Sequence, residues 1–212
     1  MKKRCYLFDF DGTLVDSMPT YAKTIFRILE EHGVTPPEGL IKTIATMGTV
    51  ASAHHLSSLG VPKSPDEILL LMKEYLLDAY LNTIPLKEGV LPALFRWKEE
   101  GIPMAVLTAS PHLSLDPCLK RLGIYDWFDH VWSTDDFGLS KTDPALYRAV
   151  SEELGIPFCD ILFFDDNAEA GRTAQTVGMK YCAVADVTNS EYQEAMKQSA
   201  DYYAEKLTDL TI

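Results

Sequence analysis

The sequence lacks the long apolar runs and the excess of positive charge that are typical of membrane-spanning and nucleic-acid-binding proteins. No stretch of the 212 residues approaches the roughly 18 apolar residues that a membrane-spanning helix needs. Acidic residues outnumber basic ones by 31 to 19, which gives a net charge of −12. A surface of this sign is repelled by the phosphate backbone of DNA or RNA and by anionic lipid. We therefore expect no nucleic-acid and no membrane partner, whereas a small phosphorylated ligand can still bind at a locally positive site.

Closely spaced cysteine pairs and a complete secretion signal are also lacking. No two cysteines have the CxxC spacing, and two of the four lie in apolar, strand-like runs: Cys5, Cys118, Cys159 and Cys182. Buried free thiols in a reducing compartment are the expected state. The basic residues 2–4 resemble the start of a signal peptide, but Asp9 and Asp11 interrupt the apolar region that follows. These features predict a cytoplasmic protein.

The first long stretch after the opening strand, residues 17–84, has only helical patterns. Helices are predicted at 18–32, 50–59 and 64–81, and no segment has a convincing strand pattern. The last of these helices begins with Ser64-Pro65-Asp66-Glu67, which supplies an N-cap, a first-turn proline and a capping-box acid. In the first helix, one buried face is predicted to contain Ala22, Ile25, Phe26 and Leu29.

From residue 85 onward, helical segments alternate with short apolar strands. The strands are predicted at 104–108, 130–133, 161–164 and 180–185, in addition to the opening strand at 5–8. This alternation predicts an α/β fold, a Rossmann-like doubly wound parallel sheet with ligand chemistry at the carboxyl ends of its strands. The predicted organisation is a core domain of residues 1–16 and 85–212, with residues 17–84 as an inserted all-helical domain. The C-terminal tail is moderately helical and predicts nothing further.

The opening strand ends in a pair of carboxylates followed by a glycine. Asp9 and Asp11 are two residues apart, so in extended chain their side chains point to the same side. Gly12 permits a sharp change of backbone direction that a residue with a Cβ resists. Two close acids repel each other unless a cation, a proton or hydrogen-bond donors offset them. A solvated turn explains Asp11-Gly12 but does not explain a carboxylate within the apolar run, so a reaction site is the favoured interpretation.

Other polar residues follow the later strands. Thr108-Ala109-Ser110 follows the second strand, and Asp165-Asp166 follows the apolar run 161–164. Lys141 precedes a helix N-terminus, where the helix dipole does not favour a cation. Several carboxylates at one sheet edge suit Mg²⁺, and a hydroxyl with an ammonium suits the oxygens of a phosphoryl group. Asp135-Asp136 follows a weaker strand and is expected only to shape a loop.

In this order, the four segments resemble the motifs of the haloacid dehalogenase-like superfamily of aspartate-nucleophile phosphatases. The matching segments are Asp9-x-Asp11-Gly12-Thr13, Thr108, Lys141 and Asp165-Asp166. The resemblance implies that residues 17–84 are the helical cap of the branch that contains phosphoglycolate phosphatase and β-phosphoglucomutase. One departure is that Lys141 is followed by Thr142-Asp143-Pro144, where many relatives have Lys-Pro, which puts the local geometry in question.

The resemblance also implies a role for each motif residue. Asp9 is the nucleophile that forms an aspartyl-phosphate, and Asp11 is the general acid and then the general base. The implied Mg²⁺ ligands are Asp9 and Asp166, with Asp165 directly or through water, and the backbone carbonyl of Asp11. Thr108 and Lys141 are the remaining catalytic residues. The implied substrate contacts are Gly12, Thr108, Ala109, Ser110 and Lys141.

Particular residues favour or disfavour three possible functions. Dehalogenase and phosphonate-cleaving relatives lack the acid at the position of Asp11, which favours phosphomonoester hydrolysis. The β-phosphoglucomutase branch has a histidine where this chain has Tyr21, so phosphotransfer on a sugar phosphate is the second interpretation. A non-catalytic phosphate-binding protein is the third, and the presence of Asp9 and Asp11 disfavours it. Cap residues that could contact a substrate are Gly48-Thr49, Tyr21 and His54-His55, and His112 in the core is a further candidate.

Overall fold

The computed structural model describes residues 4–45 and 49–210. The chain forms two compact units, one of residues 1–16 with 85–212 and the other of residues 17–84. These boundaries coincide with those expected from the sequence, and the role of the second unit as a cap stays a prediction. Among the described residues, no helix has the length and apolar character needed to cross a membrane.

The larger unit is built on a parallel sheet. Its strands are β1 (Cys5–Phe8), β2 (Met104–Thr108), β3 (His130–Ser133), β4 (Ile161–Asp165), β5 (Lys180–Val184) and β6 (Tyr202–Ala204). Their order across the sheet is β3-β2-β1-β4-β5-β6, so the chain builds outward from β1 in both directions. In such a sheet, ligands bind outside the carboxyl ends of the strands where the order reverses, which here is beside β1. The predicted fold class is confirmed.

Helices occupy both units. Their bounds are α1 (Met18–Glu31), α2 (Leu40–Ala45), α3 (Thr49–Ser58), α4 (Pro65–Asn82), α5 (Val90–Glu99), α6 (His112–Arg121), α7 (Pro144–Leu154), α8 (Ala168–Thr176) and α9 (Gln193–Ser199). The predicted capping box of α4 is present, since the Ser64 hydroxyl accepts from Glu67 N–H and the Glu67 carboxylate accepts from Ser64 N–H. Such a cap satisfies two backbone donors that the first helical turn leaves free.

Side chains cover both faces of the central strand β1, which explains its unbroken apolar sequence. On one face, Tyr6 and Phe8 contact the Trp97 ring, with ring centroids 5.1 and 5.7 Å apart, and Phe8 stacks on Phe164 at 4.6 Å. Aromatic pairs of this kind contribute about 0.5–1.5 kcal/mol each beyond the burial of their surface. On the other face, Leu7 belongs to a buried cluster that includes residues of α7 and α8. Because β1 is packed on both faces, it fixes the position of the residues that follow Phe8.

The helical unit has its own apolar core, formed by residues such as Ile25, Leu29, Leu56 and Met72. No strand occurs among its described residues, as predicted. The prediction for Phe26 was wrong, because its side chain is 40% exposed and Ile28 is buried instead. The helix therefore presents positions 25, 28 and 29 to the core, which is the ordinary i, i+3, i+4 spacing.

Two further predictions were wrong. The C-terminal tail is not simply helical, because Tyr202–Ala204 forms β6 and pairs with β5 at the edge of the sheet. A three-residue strand is too short to show a period-two pattern, so the sequence carries no clear signal for it. Cys159 is exposed, whereas the other three cysteines are buried as expected, and all four thiols are free.

Candidate active site

Two neighbouring strands bring three carboxylates together. Asp9 follows β1, and Asp165 is the last residue of β4, with Asp166 next to it. Because β1 and β4 pair in parallel with Phe8 opposite Phe164, Asp9 and Asp165 emerge side by side from the sheet. One carboxylate oxygen from each of the three acids lies within 4.8 Å of the other two. This group is called the acid cluster below.

Lys141 supplies the positive charge that the acid cluster contacts. Its ammonium forms ion pairs with Asp9 and with Asp165, the latter at 2.9 Å, and its side chain is 13% exposed. Burial alone would lower the pKa of the ammonium, but the Asp165 and Asp9 carboxylates raise it above its ordinary value. Lys141 therefore stays charged, and the unusual Thr142-Asp143-Pro144 that follows does not displace it from the carboxylates. Asp143 instead caps α7 by accepting from Ala145 N–H at 2.8 Å.

One ammonium does not balance three carboxylates. Burial raises the pKa of the Asp9 carboxyl to about 7, Lys141 opposes this rise, and the negative charge of Asp165 adds to it. Desolvation and the neighbouring Asp165 and Asp9 charges likewise raise the pKa of Asp166 well above its ordinary value. Buried oxygen ligands with excess negative charge are the donor set that a hard divalent cation prefers. The residues of the acid cluster thus fit a magnesium ion.

Asp11 is not among the three residues of the acid cluster, and its carboxylate has a hydrogen-bond donor from the segment after β2. The Ser110 hydroxyl donates to Asp11 Oδ2 at 2.5 Å, and Ser110 N–H donates to Thr108 Oγ1 at 3.0 Å. Thr108 is buried at the end of β2, the strand on the other side of β1. Asp11 and the acid cluster line one cavity of about 450 Å³ together with residues 108–111 and 140–142. The structure therefore brings the predicted acids, hydroxyls and lysine to one edge of the sheet.

Gly12 is required by close packing at this edge. Its φ is +72°, a conformation that favours glycine, and a Cβ at this position would lie 2.6 Å from Asp166 Oδ2. The glycine thus lets the loop after β1 approach the loop after β4. Its predicted contact with substrate stays a prediction.

Two buried tyrosines hold the site loops from behind, and the sequence reasoning missed both. The Tyr147 hydroxyl lies 2.9 Å from the Lys141 carbonyl and 3.0 Å from the Ala170 carbonyl, so its one proton is shared between these two acceptors. The Tyr181 hydroxyl donates to the Asp165 carbonyl at 3.1 Å. Each tyrosine is surrounded by apolar residues in its helix or strand, which predicts that its ring is buried. This pattern does not predict which group its hydroxyl will contact.

The second acidic pair of the core has a structural role, as predicted. Asp136 accepts from Ser133 N–H at 2.9 Å and closes a 3₁₀ turn after β3. His112, a predicted substrate contact, is instead bonded through Nδ1 to Asp116 at 2.7 Å and through Nε2 to Asp136 at 2.9 Å. Both ring nitrogens are therefore engaged within the core.

The predicted cap contacts lie in the helical unit. The Tyr21 hydroxyl donates to Ser52 Oγ at 3.1 Å, so it links α1 to α3. His54 is exposed and His55 is partly buried. Gly48 lies outside the described residues, and Thr49 begins α3. Their contact with a substrate stays a prediction.

Comparison with known proteins gives a consistent result. A family model described as haloacid dehalogenase-like hydrolase matches residues 3–178. The chain is 29% identical to phosphoglycolate phosphatase of Rhodobacter capsulatus over 93% of this chain and 91% of that protein. It is 25% identical to validoxylamine A 7'-phosphate phosphatase of Streptomyces hygroscopicus subsp. limoneus over 96% of this chain and 94% of that protein.

A solved structure shares the fold. The crystal structure of a "putative beta-phosphoglucomutase" from Thermotoga maritima has a TM-score of 0.86 at 23% identity, covering 99% of this chain and 96% of that one. A likeness at this identity concerns the fold, while the match of the family model covers most of the chain. The protein is therefore a member of the haloacid dehalogenase-like hydrolase family, as its four motifs predicted.

Proposed function

We propose that the protein is a Mg²⁺-dependent phosphatase that hydrolyses a small cytosolic phosphomonoester through an aspartyl-phosphate. The observation that carries this proposal is the division of work between Asp9 and Asp11 at one cavity. Asp9 is paired with Lys141 inside the acid cluster, whereas Asp11 is held by Ser110 on the other side. Two carboxylates with such different surroundings are suited to two different chemical roles.

Asp9 is the nucleophile. A carboxylate oxygen of Asp9 attacks the phosphorus atom, the bond from phosphorus to the ester oxygen breaks, and the alcohol leaves. The ion pair with Lys141 fixes the direction of the carboxylate, and its positive charge opposes the rise in the pKa of Asp9 that burial causes. The product of this step is an aspartyl-phosphate on Asp9.

Asp11 moves the proton in both steps. It protonates the departing alcohol oxygen, and it then takes a proton from the water molecule that attacks the aspartyl-phosphate. The second step releases inorganic phosphate and restores Asp9. The short hydrogen bond from Ser110 orients Asp11 toward the cavity that both carboxylates line.

The phosphoryl oxygens are bound by the remaining motif residues. Thr108 Oγ1 and the backbone N–H of Ala109 supply hydrogen-bond donors at the end of β2, and Lys141 supplies positive charge. Mg²⁺, when bound, neutralises the charge of the carboxylates and of the phosphoryl group. Asp9 and Asp166 would hold it with their carboxylates, with Asp165 directly or through water, and Asp11 would contribute its backbone carbonyl.

The substrate is a small phosphorylated metabolite, and residues 17–84 act as the cap that selects it. Two relatives with similar identity to this chain are named for different phosphate esters, phosphoglycolate and validoxylamine A 7'-phosphate. We therefore place the choice of substrate in residues outside the four motifs. Tyr21 and the segment that contains Gly48 and Thr49 are the first candidates.

The test is a screen of the purified 212-residue chain on small phosphomonoesters with Mg²⁺ or with a chelator. The panel contains 2-phosphoglycolate, hexose phosphates, nucleoside monophosphates and p-nitrophenyl phosphate. Release of inorganic phosphate that depends on Mg²⁺ and is lost in Asp9→Asn supports the proposal. The variant Asp135→Asn, in the acidic pair after β3, is the matched control and keeps its activity.

Product analysis with a hexose phosphate separates hydrolysis from the alternative, phosphotransfer on a sugar. Free inorganic phosphate supports hydrolysis. An isomerised sugar phosphate, formed without phosphate release, contradicts it and makes the protein a mutase. Absence of turnover on the whole panel, with a folded protein and bound Mg²⁺, contradicts both.

A further inference from the structure

Lys87 is a partly buried lysine that none of the four motifs includes. It lies where the chain enters the α/β unit for the second time, and its side chain is 15% exposed. Its ammonium donates to the Gly12 carbonyl at 2.6 Å, the Ala185 carbonyl at 2.6 Å and Asp186 Oδ2 at 2.9 Å. An ammonium has three N–H donors, so each of them has a partner. The lysine is thus tied to the loop after β1 and to the loop after β5.

The network continues from Asp186 to the acid cluster. Asp186 N–H donates to Asn189 Oδ1 at 3.0 Å. The Asn189 amide in turn donates to the Asp166 carbonyl and to the Val184 carbonyl, each at 2.9 Å. Both Asp186 and Asn189 are buried. One polar network therefore holds the backbone of Gly12 at one end and the backbone of Asp166 at the other.

The two ends of this network meet at the site. Gly12 packs so closely on Asp166 that a Cβ on Gly12 would lie 2.6 Å from Asp166 Oδ2. Gly12 N–H donates to the Val15 carbonyl at 3.0 Å, which closes a turn directly after Asp11. A shift of the Gly12 carbonyl would therefore move Asp11 relative to Asp166.

We propose that Lys87 is a positioning residue: by holding the Gly12 carbonyl, it keeps Asp9 and Asp11 in register with Asp166. The inference rests on the proposed function for the roles of those acids. Lys87 lines a surface depression other than the cavity of Asp9 and Asp11, so it acts through the backbone and not on the substrate. Asp186 neutralises the ammonium and is itself held by Asn189, which makes the arrangement rigid.

The first test compares Lys87→Met with a matched control, Lys206→Met. Lys206 pairs with Glu88 at 2.5 Å, next to Lys87 in sequence, but its side chain is 46% exposed. With p-nitrophenyl phosphate at saturating Mg²⁺, Lys87→Met is expected to lower kcat by about 10- to 100-fold, because small misplacements of reacting groups have effects of this size. KM should change by less than about three-fold, because binding contacts remain. Lys206→Met should match the wild type.

A second readout does not need activity. Hydrogen exchange of the peptide that covers residues 9–15 should be about ten-fold faster in Lys87→Met, while peptides of α7 keep their wild-type rate. If Lys87→Met does not fold, Lys87→Gln, which keeps amide donors, is measured by the same criteria. Unchanged kcat and unchanged exchange at 9–15 in a folded variant overturn the proposal, even where the melting temperature falls. If the wild type is inactive on every phosphomonoester but exchange at 9–15 is still faster in Lys87→Met, Lys87 does hold the loop after β1 and the proposed function fails.

Discussion

Two acidic pairs follow strands of the same sheet, and they differ in burial and in the groups that contact their carboxylates. Asp165 and Asp166, at the end of β4, join Asp9 in a group that has Lys141 as its cationic contact. Asp135 and Asp136, after β3, are exposed, and the Asp136 carboxylate accepts from Ser133 N–H and from His112.

Burial and an excess of negative charge, more than the number of acids, distinguish this reaction site from a turn. At the exposed pair, hydrogen bonds and water offset the charges of the acids. At the acid cluster, burial raises the pKa of Asp9 to about 7. A cation is the simplest way to offset the remaining charge.

The largest expected difference between the two sites is the difference in kcat between Asp9→Asn and Asp135→Asn. Asp9→Asn should lower kcat by at least about 10⁴-fold, because removal of a nucleophile removes the covalent route. Its melting temperature should not fall, since Lys141 keeps its ion pair with Asp165 and the site loses part of its excess negative charge. Asp135→Asn should keep kcat within about two-fold. Equal losses in the two variants would show that the pairs do not differ as described.

Substitution of Lys141 tests the charge balance of the acid cluster. Lys141→Met should lower the free energy of unfolding by about 3 kcal/mol in magnesium-free buffer, since buried carboxylates lose their partner. Added Mg²⁺ should stabilise the variant more than the wild type, because the ion binds the folded state and replaces the lost charge. Urea unfolding with and without Mg²⁺ measures both effects. An undiminished stability without Mg²⁺ would contradict the account of Lys141.

The magnesium requirement separates the two pairs directly. Asp166→Asn should raise the Mg²⁺ concentration at half-saturation by about 10- to 100-fold, as measured by calorimetric titration and by activity. Asp136→Asn should leave it unchanged, because its carboxylate serves a turn and a histidine. A similar shift in both variants would place the metal elsewhere.

The smallest expected effect concerns His112 at the exposed pair. Hydrogen bonds to Asp116 and Asp136 raise the pKa of His112 above its ordinary value. Its contribution to stability is therefore complete below about pH 6.5, the ordinary pKa of the unfolded chain, and is lost as the pH rises through the raised pKa of the folded state. Because the side chain is 41% exposed, the contribution should stay below about 1 kcal/mol. The stability difference between the wild type and His112→Asn should be larger at acidic than at alkaline pH; the reverse trend would be inconsistent with these bonds.

The sequence predicts the acid cluster well because its signal is local. An apolar strand such as β1 that ends in Asp9 can be identified without knowing what lies beside it, and the parallel order brings β4 alongside. Lys141 is predictable only through the family resemblance, since a single lysine before a helix has many explanations. Its position then follows from α7, whose cap Asp143 is visible in the sequence.

The supports of the site could not be predicted for a physical reason. Lys87 is 75 residues from Gly12 along the chain, and nothing in the local sequence Pro85-Leu86-Lys87-Glu88 indicates where its ammonium points. The hydroxyls of Tyr147 and Tyr181 find backbone carbonyls only once the sheet and helices have packed. Partner choice of this kind depends on tertiary geometry, which composition and periodicity do not encode.

The central claim is that Asp9 accepts the phosphoryl group, and trapping the intermediate tests it most directly. The enzyme is mixed with an excess of substrate and Mg²⁺, quenched in acid within one turnover and digested, and the peptides are weighed by mass spectrometry. In the wild type, the peptide that contains Asp9 should gain the mass of one phosphoryl group. In Asp9→Asn, the same peptide should gain no mass. A phosphoryl group on any other residue, or phosphate release in a single turnover by Asp9→Asn, would contradict it.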